Sequence, residues 1–233
     1  MSTDIFKRQA GEAAVEYIQS GMLVGLGTGT TAIWAVRRIG ERLKEGTLKD
    51  VVGVPTSLQT EAEARRVGIP LVPTNNIGSR EIDVTIDGAD EITPQFDLIK
   101  GGGGALLREK ITAQLSRILI IAADDSKLVP RLCTGWAIPV EVVPFGYRSH
   151  KDFFLKLGGI PTLRLDQAGD AYQTDQGNYI YDVRFPPLED PAALADQLKR
   201  RTGVVEHGLF LGMATQVITC GPTGLRHHSP QSR

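Results

Sequence analysis

Four short stretches of this sequence gather glycine, hydroxyl and charged side chains in patterns that can do chemistry. Gly25-Leu26-Gly27-Thr28-Gly29-Thr30-Thr31 lies between an apolar run and a helical pattern. Glycines permit a sharp turn and a close backbone approach, and a helix start offers unpaired N–H groups and a positive dipole end. Thr28, Thr30 and Thr31 add hydroxyls around Gly29, so phosphate is the natural guest. A dinucleotide fingerprint fits less well, because Thr30 stands where its third glycine belongs and the next apolar run ends in Pro55-Thr56-Ser57 without an acid. The second stretch is Asp87-Gly88-Ala89-Asp90-Glu91. Three acids in five residues suit a metal, sugar hydroxyls or proton transfer, although a solvated acidic turn has the same composition.

The third stretch is Lys100 followed by Gly101, Gly102, Gly103 and Gly104, then a helical pattern that carries Glu109 about one turn in. Four glycines in a row are costly in conformational entropy. They make sense where backbone passes close to a ligand or turns N–H groups toward an oxyanion, with Lys100 adding a cation. A flexible linker is the plain alternative, but the run is flanked by strand-like and helical segments. The fourth stretch, Ala123-Asp124-Asp125-Ser126-Lys127, follows the apolar run Ile118 to Ala122. Lys127 there can reach a phosphate or be an ordinary surface lysine. Lys7 is less informative by itself.

The elements that must position these residues alternate. Ile5, Ala10, Ala13, Ala14, Tyr17 and Ile18 mark an opening helix, capped by Thr3 or Asp4 and ended by Gly21. Strands are predicted over 22–26, 51–54, 70–72, 82–86 and 118–122, and helices over 32–43, 57–67 and 106–116. Strands alternating with helices imply an α/β fold, a mostly parallel, Rossmann-like sheet covered by helices on both faces. Beyond Pro130 the rhythm becomes strand (140–143), helix (149–157), strands (161–165, 179–183), helix (190–200, Asp190 capping and Pro191 first) and strand (204–210). This β-α-β-β-α-β order resembles a split βαβ unit, a smaller ferredoxin-like α+β domain. We therefore expect a catalytic α/β domain over 1–130 plus 208–233 and a small domain over 131–207. The polar tail from Arg226 to Arg233 is expected to fray.

Composition narrows the function. Of 233 residues, 41% are hydrophobic and 23% charged, and 26 basic residues against 27 acidic ones leave a net charge of −1. That balance has no electrostatic footprint for nucleic acid or an anionic membrane. No apolar run approaches bilayer length, and the first residues lack a signal-peptide core, so a cytoplasmic protein, or one in the soluble interior of an organelle, is expected. Two distant cysteines, Cys133 and Cys220, form neither a disulfide framework nor a metal-ligand spacing. The four histidines, His150, His207, His227 and His228, form no site on paper and are expected at the surface.

Taken together, GLGTGTTA, TIDGADEI, KGGGGALLREKI and ADDSKLV resemble the A-type ribose-5-phosphate isomerases, as do the later PVEVVPFGYR, LKLGGIPTLR and GLF segments. Only the tail lacks a counterpart. Small departures are Gly104, where relatives often carry alanine, and Thr30, where serine is common. The resemblance implies an aldose–ketose isomerase that interconverts D-ribose 5-phosphate and D-ribulose 5-phosphate, with no cofactor and no metal, as a homodimer or homotetramer in the pentose phosphate pathway and, in photosynthetic organisms, in carbon fixation. Carried over by motif, Thr28, Gly29, Thr30 and Thr31 bind substrate, with Lys7 and Lys127 supplementing the phosphate site. Asp87, Gly88, Ala89, Asp90, Lys100, Gly101, Gly102 and Gly103 hold the sugar. Glu109 is the base, assisted by Asp87 and Lys100. An amino-sugar-phosphate deaminase-isomerase fits the same general fold but matches the acidic and glycine motifs less well. A non-catalytic sugar-phosphate sensor would usually carry a basic DNA-binding segment ahead of these motifs, and none is present.

Overall fold

The computed structural model describes residues 3–231. In chain order the elements are α1 (Thr3–Ala14), β1 (Leu23–Leu26), α2 (Ala32–Lys44), β2 (Val52–Pro55), α3 (Leu58–Val67), β3 (Val84–Asp87), β4 (Glu91–Ile92), β5 (Leu98–Ile99), α4 (Leu106–Gln114), β6 (Leu119–Asp124), β7 (Ile138–Val142), α5 (His150–Lys156), β8 (Ile160–Leu163), β9 (Tyr179–Arg184), α6 (Pro191–Lys199), β10 (Val204–His207), β11 (Leu209–Phe210), β12 (Gln216–Gly221) and β13 (Gly224–His228). They form two compact units.

The first unit comprises Met1–Ala89, Arg108–Lys127 and Met213–Arg233. Its six-stranded sheet has the order β13-β12-β6-β3-β1-β2, parallel except for the terminal β12–β13 hairpin. β1, β3 and β6 are buried along their whole length, as expected for parallel strands covered on both faces. α2 shows why the helices dock. Ala32, Ala35, Val36, Ile39 and Gly40 repeat at helical spacing and form its buried stripe, while Arg42 and Lys44 complement its C-terminal dipole end. α3 starts on Ser57, whose hydroxyl accepts from the Thr60 N–H, and stops at left-handed Gly68. The core combines Val24, Leu26, Val36, Ile39, Ile86, Ile120 and Ile218 with Ala10 and Ala14 of α1. The parallel strands β1, β2, β3 and β6 all end at one edge of the sheet, so the segments that follow them line that edge.

The second unit comprises Asp90–Leu107 and Leu128–Gly212. It is larger than the expected 131–207, because the chain from Asp90 through the glycine run belongs to it. Its antiparallel sheet has the order β10-β7-β9-β8, and α5 and α6 connect β7 to β8 and β9 to β10. This is the split βαβ arrangement predicted from element order. Ile138, Val140, Val142, Phe154, Tyr181, Val183 and Leu198 form its core. Asp190 caps α6 by accepting from the Ala193 N–H, with Pro191 in the first turn.

Several expectations are corrected. The run 70–72 gives only a bridge from Leu71 to Gly53. The predicted strand 204–210 is two strands in different sheets, divided at Gly208, where a side chain would collide with the Lys100 carbonyl and Pro139. β11 pairs with β5, which pairs with β4, in a small sheet that sequence periodicity did not reveal. The tail does not fray at Arg226: β13 runs through His228, Arg226 pairs with Asp125, and Thr219 Oγ1 lies 2.7 Å from His228 Nε2. The last two tail residues lie outside the described range. His150 and His207 are buried, and burial pushes the His150 imidazole below its ordinary value, so those two are core histidines.

Candidate active site

In the first unit the segments after β1 and β3 are held to each other by backbone groups. Asp87 is 1% exposed, and its Oδ1 accepts from the Thr28 N–H at 3.1 Å and the Gly88 N–H at 2.8 Å. Gly27 makes this approach possible, because a Cβ there would run into Asp87 and the Ile86 carbonyl. The structure thus joins the hydroxyl-rich loop to the acidic motif through one carboxylate.

The hydroxyls divide into two groups. Thr28 Oγ1 lies 2.8 Å from Thr56 Oγ1, 2.8 Å from Ser57 Oγ and 3.1 Å from Thr60 Oγ1, all buried. Thr56 donates to the Leu26 carbonyl, Thr60 to the Gly27 carbonyl, and Ser57 to Thr60. Each hydroxyl has one hydrogen, so Thr28 spends its own inside this cluster. Its hydroxyl ties the loop to the start of α3. Gly29 has φ 110°, and it and Thr30 are exposed, while Thr31 begins α2 without a side-chain cap. Thr30 and Thr31 thus stand at the start of α2, and a helix start of this kind suits an anion. α1 lies close by: Gly11 abuts the Thr31 carbonyl, and Lys7 is one turn earlier on the same helical face. Lys127 closes the turn after β6, in which Asp124 accepts from both the Ser126 N–H and its hydroxyl. Glu109 is the fourth residue of α4 and 4% exposed.

In the second unit Asp90 and the glycine run are joined. Asp90 Oδ2 accepts from the Gly102 N–H at 2.8 Å, and a Cβ on Gly102 would meet that carboxylate. Gly101 and Gly104 have φ 101° and 83°, left-handed values at which a side chain would also strike Leu106 or Tyr172. Lys100 is 2% exposed, and its ammonium lies 5.5 Å from the centroid of the Phe210 ring. Among the described residues no group of three or more His, Cys, Asp or Glu side chains could hold a metal ion.

Comparison with known proteins places the chain in a family. The family model for ribose 5-phosphate isomerase A (phosphoriboisomerase A) matches residues 52–224. The ribose-5-phosphate isomerase A of Chloroflexus aurantiacus is 52% identical over 97% of this chain and 94% of its own length. The chain belongs to the ribose 5-phosphate isomerase A family. The probable ribose-5-phosphate isomerase 3, chloroplastic, of Arabidopsis thaliana is 49% identical over 97% of this chain and 83% of its own. Among solved structures, the ribose 5-phosphate isomerase of Plasmodium falciparum is similar at 40% identity with a TM-score of 0.93, over 98% of this chain and 100% of that one. A D-ribose-5-phosphate isomerase in complex with phospho-erythronic acid has 35% identity and a TM-score of 0.95, over 98% and 100% of the two chains.

For this isomerase-family chain, sequence reasoning passed over two residues that shape the motifs. Glu91 is 1% exposed and is a staple. Its Oε2 accepts from the Cys133 N–H at 2.6 Å, and its Oε1 accepts from the N–H groups of Gly135 and Trp136. Carboxylates that accept several backbone N–H groups make strong, charge-assisted bonds. Glu91→Ala would orphan three donors, and the expected cost is roughly 3–5 kcal/mol of stability, read as a lower urea midpoint for the second unit. A variant that melts like the parent would show that the 133–136 loop does not depend on this carboxylate. The same setting silences Cys133. Burial, then the neighbouring Glu91 charge, pushes its thiol up to about 12, so it stays protonated and is no nucleophile at neutral pH. The second overlooked residue, Arg164, binds the glycine run. A pairing of Glu91 with three N–H groups 42 to 45 residues away has no sequence signal; Arg164 had one only as part of the LKLGGIPTLR segment.

Proposed function

We propose that the chain interconverts D-ribose 5-phosphate and D-ribulose 5-phosphate through an enediolate, with Glu109 moving the proton between C2 and C1. The observation that carries this reading is a buried carboxylate in the first turn of a helix that directly follows the glycine run, in a member of the ribose 5-phosphate isomerase A family whose acidic motif lies farther upstream. Moving a carbonyl to the adjacent carbon requires one proton to leave and one to return, and a single carboxylate above a planar enediolate can do both. Thr30 and Thr31, with Gly29 and the start of α2, bind the phosphate together with Lys7 and Lys127. Thr28 takes part by holding that loop. Asp87, Gly88, Ala89, Asp90 and Lys100 to Gly103 hold the sugar. Lys100 and the glycine N–H groups stabilise the charge that builds on oxygen, and Asp87 or Asp90 assists furanose opening. Phosphate binding is remote from the reacting carbons, so its energy serves to orient them.

The protein works without metal or cofactor, in the cytoplasm, as a homodimer or homotetramer, within the non-oxidative pentose phosphate pathway. The phospho-erythronic acid bound by a similar enzyme, a phosphorylated four-carbon acid, supports a phosphorylated sugar as the ligand. Purified, EDTA-treated protein is expected to form the ketose from ribose 5-phosphate at an undiminished rate. Binding without turnover would leave a sugar-phosphate sensor, and loss of rate restored by a divalent cation would make the reaction metal-dependent.

A further inference from the structure

A trans peptide carries its C=O and N–H on opposite sides of one plane, so fixing a carbonyl fixes the direction of the next residue's N–H. Arg164 does this twice in the glycine run. Its Nη1 donates to the Gly101 carbonyl at 3.1 Å and to the Gly102 carbonyl at 3.2 Å. The guanidinium is itself held: Nε and Nη2 donate to the two oxygens of Asp182 at 2.9 and 2.5 Å, and the group lies over the Tyr172 ring. Such a two-pronged pair fixes the guanidinium plane, which a point-like ammonium cannot do. The Arg164 side chain is 16% exposed.

A census of the run's N–H groups shows what this aims. Lys100 N–H goes to the Gly208 carbonyl, Gly102 N–H to Asp90, and Gly104 N–H to the Gly101 carbonyl. The Gly101–Gly102 peptide is therefore gripped at both ends, by Arg164 on its carbonyl and Asp90 on its N–H. The next peptide has its carbonyl on Arg164 and its N–H, that of exposed Gly103, turned away from the guanidinium. We propose that Arg164 is a positioning residue for the isomerisation, holding the Gly101 and Gly102 carbonyls so that the Gly103 N–H faces the oxygen that gains charge in the enediolate. The proposal rests on the reading of the glycine run as the oxyanion-binding element.

Arg164→Ala is expected to lower kcat about tenfold to a hundredfold while KM for ribose 5-phosphate stays within about threefold, because the aimed donor strengthens only as charge develops. Added guanidinium should restore part of kcat. Affinity for phospho-erythronate, whose carboxylate presents two charged oxygens on one planar carbon, should fall in step with kcat. Arg164→Lys, which keeps the charge and loses the fork, should lie between parent and alanine variant, and it serves if the alanine variant does not fold. Unchanged kcat in a folded variant overturns the proposal. So does a rise in KM alone, or a kcat loss that neither responds to guanidinium nor changes phospho-erythronate affinity. Lys100→Met separates the two ideas. If it lowers kcat and Arg164→Ala does not, only the positioning role fails; if both leave kcat intact, the oxyanion reading fails and takes the proposal with it.

Discussion

Replacing Glu109 by glutamine is expected to remove nearly all turnover while leaving a folded protein that still binds ribose 5-phosphate. The side chain is 4% exposed in the first turn of α4, where a helix start favours a negative charge. Glutamine keeps the shape and cannot accept the C2 proton, so the loss belongs to the chemical step. General-base catalysis typically contributes about 10²–10⁴ in rate, and kcat should fall by that range with KM within a few-fold. Exchange of the substrate's C2 hydrogen with solvent deuterium reads proton transfer directly and should stop in parallel. Glu109→Asp, with the same chemistry one methylene shorter, should retain exchange at a reduced rate. If Glu109→Gln keeps more than a tenth of kcat, or loses turnover while exchange continues, another group moves the proton.

Much of the frame was legible because it is written locally. The α2 stripe, the Ser57 and Asp190 caps and the apolar run that opens β6 are each set by residues a few positions apart, and periodicity and capping rules read them. The chemistry-bearing loops were legible for a related reason. Runs such as Gly101 to Gly104 are too costly in entropy to occur without a backbone requirement, and the requirement is visible in the left-handed Gly101 and Gly104 and in the approach of Asp90 to Gly102. What stayed hidden depends on partners far away in the chain. Thr28 looked like a phosphate ligand until Thr56, Ser57 and Thr60 claimed its hydroxyl. Glu91 looked like one more acid of a polar turn until the 133–136 backbone closed on it. The tail looked frayed because Arg226, His227 and His228 are polar, but ladder bonds to β12 are indifferent to side-chain polarity on an edge strand, and Asp125, Tyr17 and Thr219 supply partners for the polar groups. His150 likewise gave no apolar signal yet stacks beside Phe154 within the second unit's core.

Lys100 offers a test in which function and stability should move apart. An ammonium 2% exposed has given up water, and burying a charge costs free energy that only its surroundings offset. The backbone around it is fixed: its N–H donates to the Gly208 carbonyl at 2.9 Å, Gly208 has no room for a side chain there, and Gly101 follows at positive φ. Lys100→Met keeps an apolar side chain of similar length and deletes the ammonium that lies over the Phe210 ring. A residue kept for stability would, on losing its charge and partners, leave the protein less stable with activity falling in proportion to the folded fraction. A residue kept to meet a growing negative charge predicts the reverse. The melting temperature should hold or rise, while kcat should drop by about 10²–10³, equivalent to roughly 2.7–4 kcal/mol of transition-state stabilisation. KM should change much less than kcat, because the ground-state sugar carries no charge at the reacting oxygens. Parallel thermal melts and steady-state kinetics decide the matter. A destabilised Lys100→Met protein with near-parental kcat per folded molecule would assign this lysine to the architecture, and the charge on the enediolate would then fall to backbone N–H groups alone.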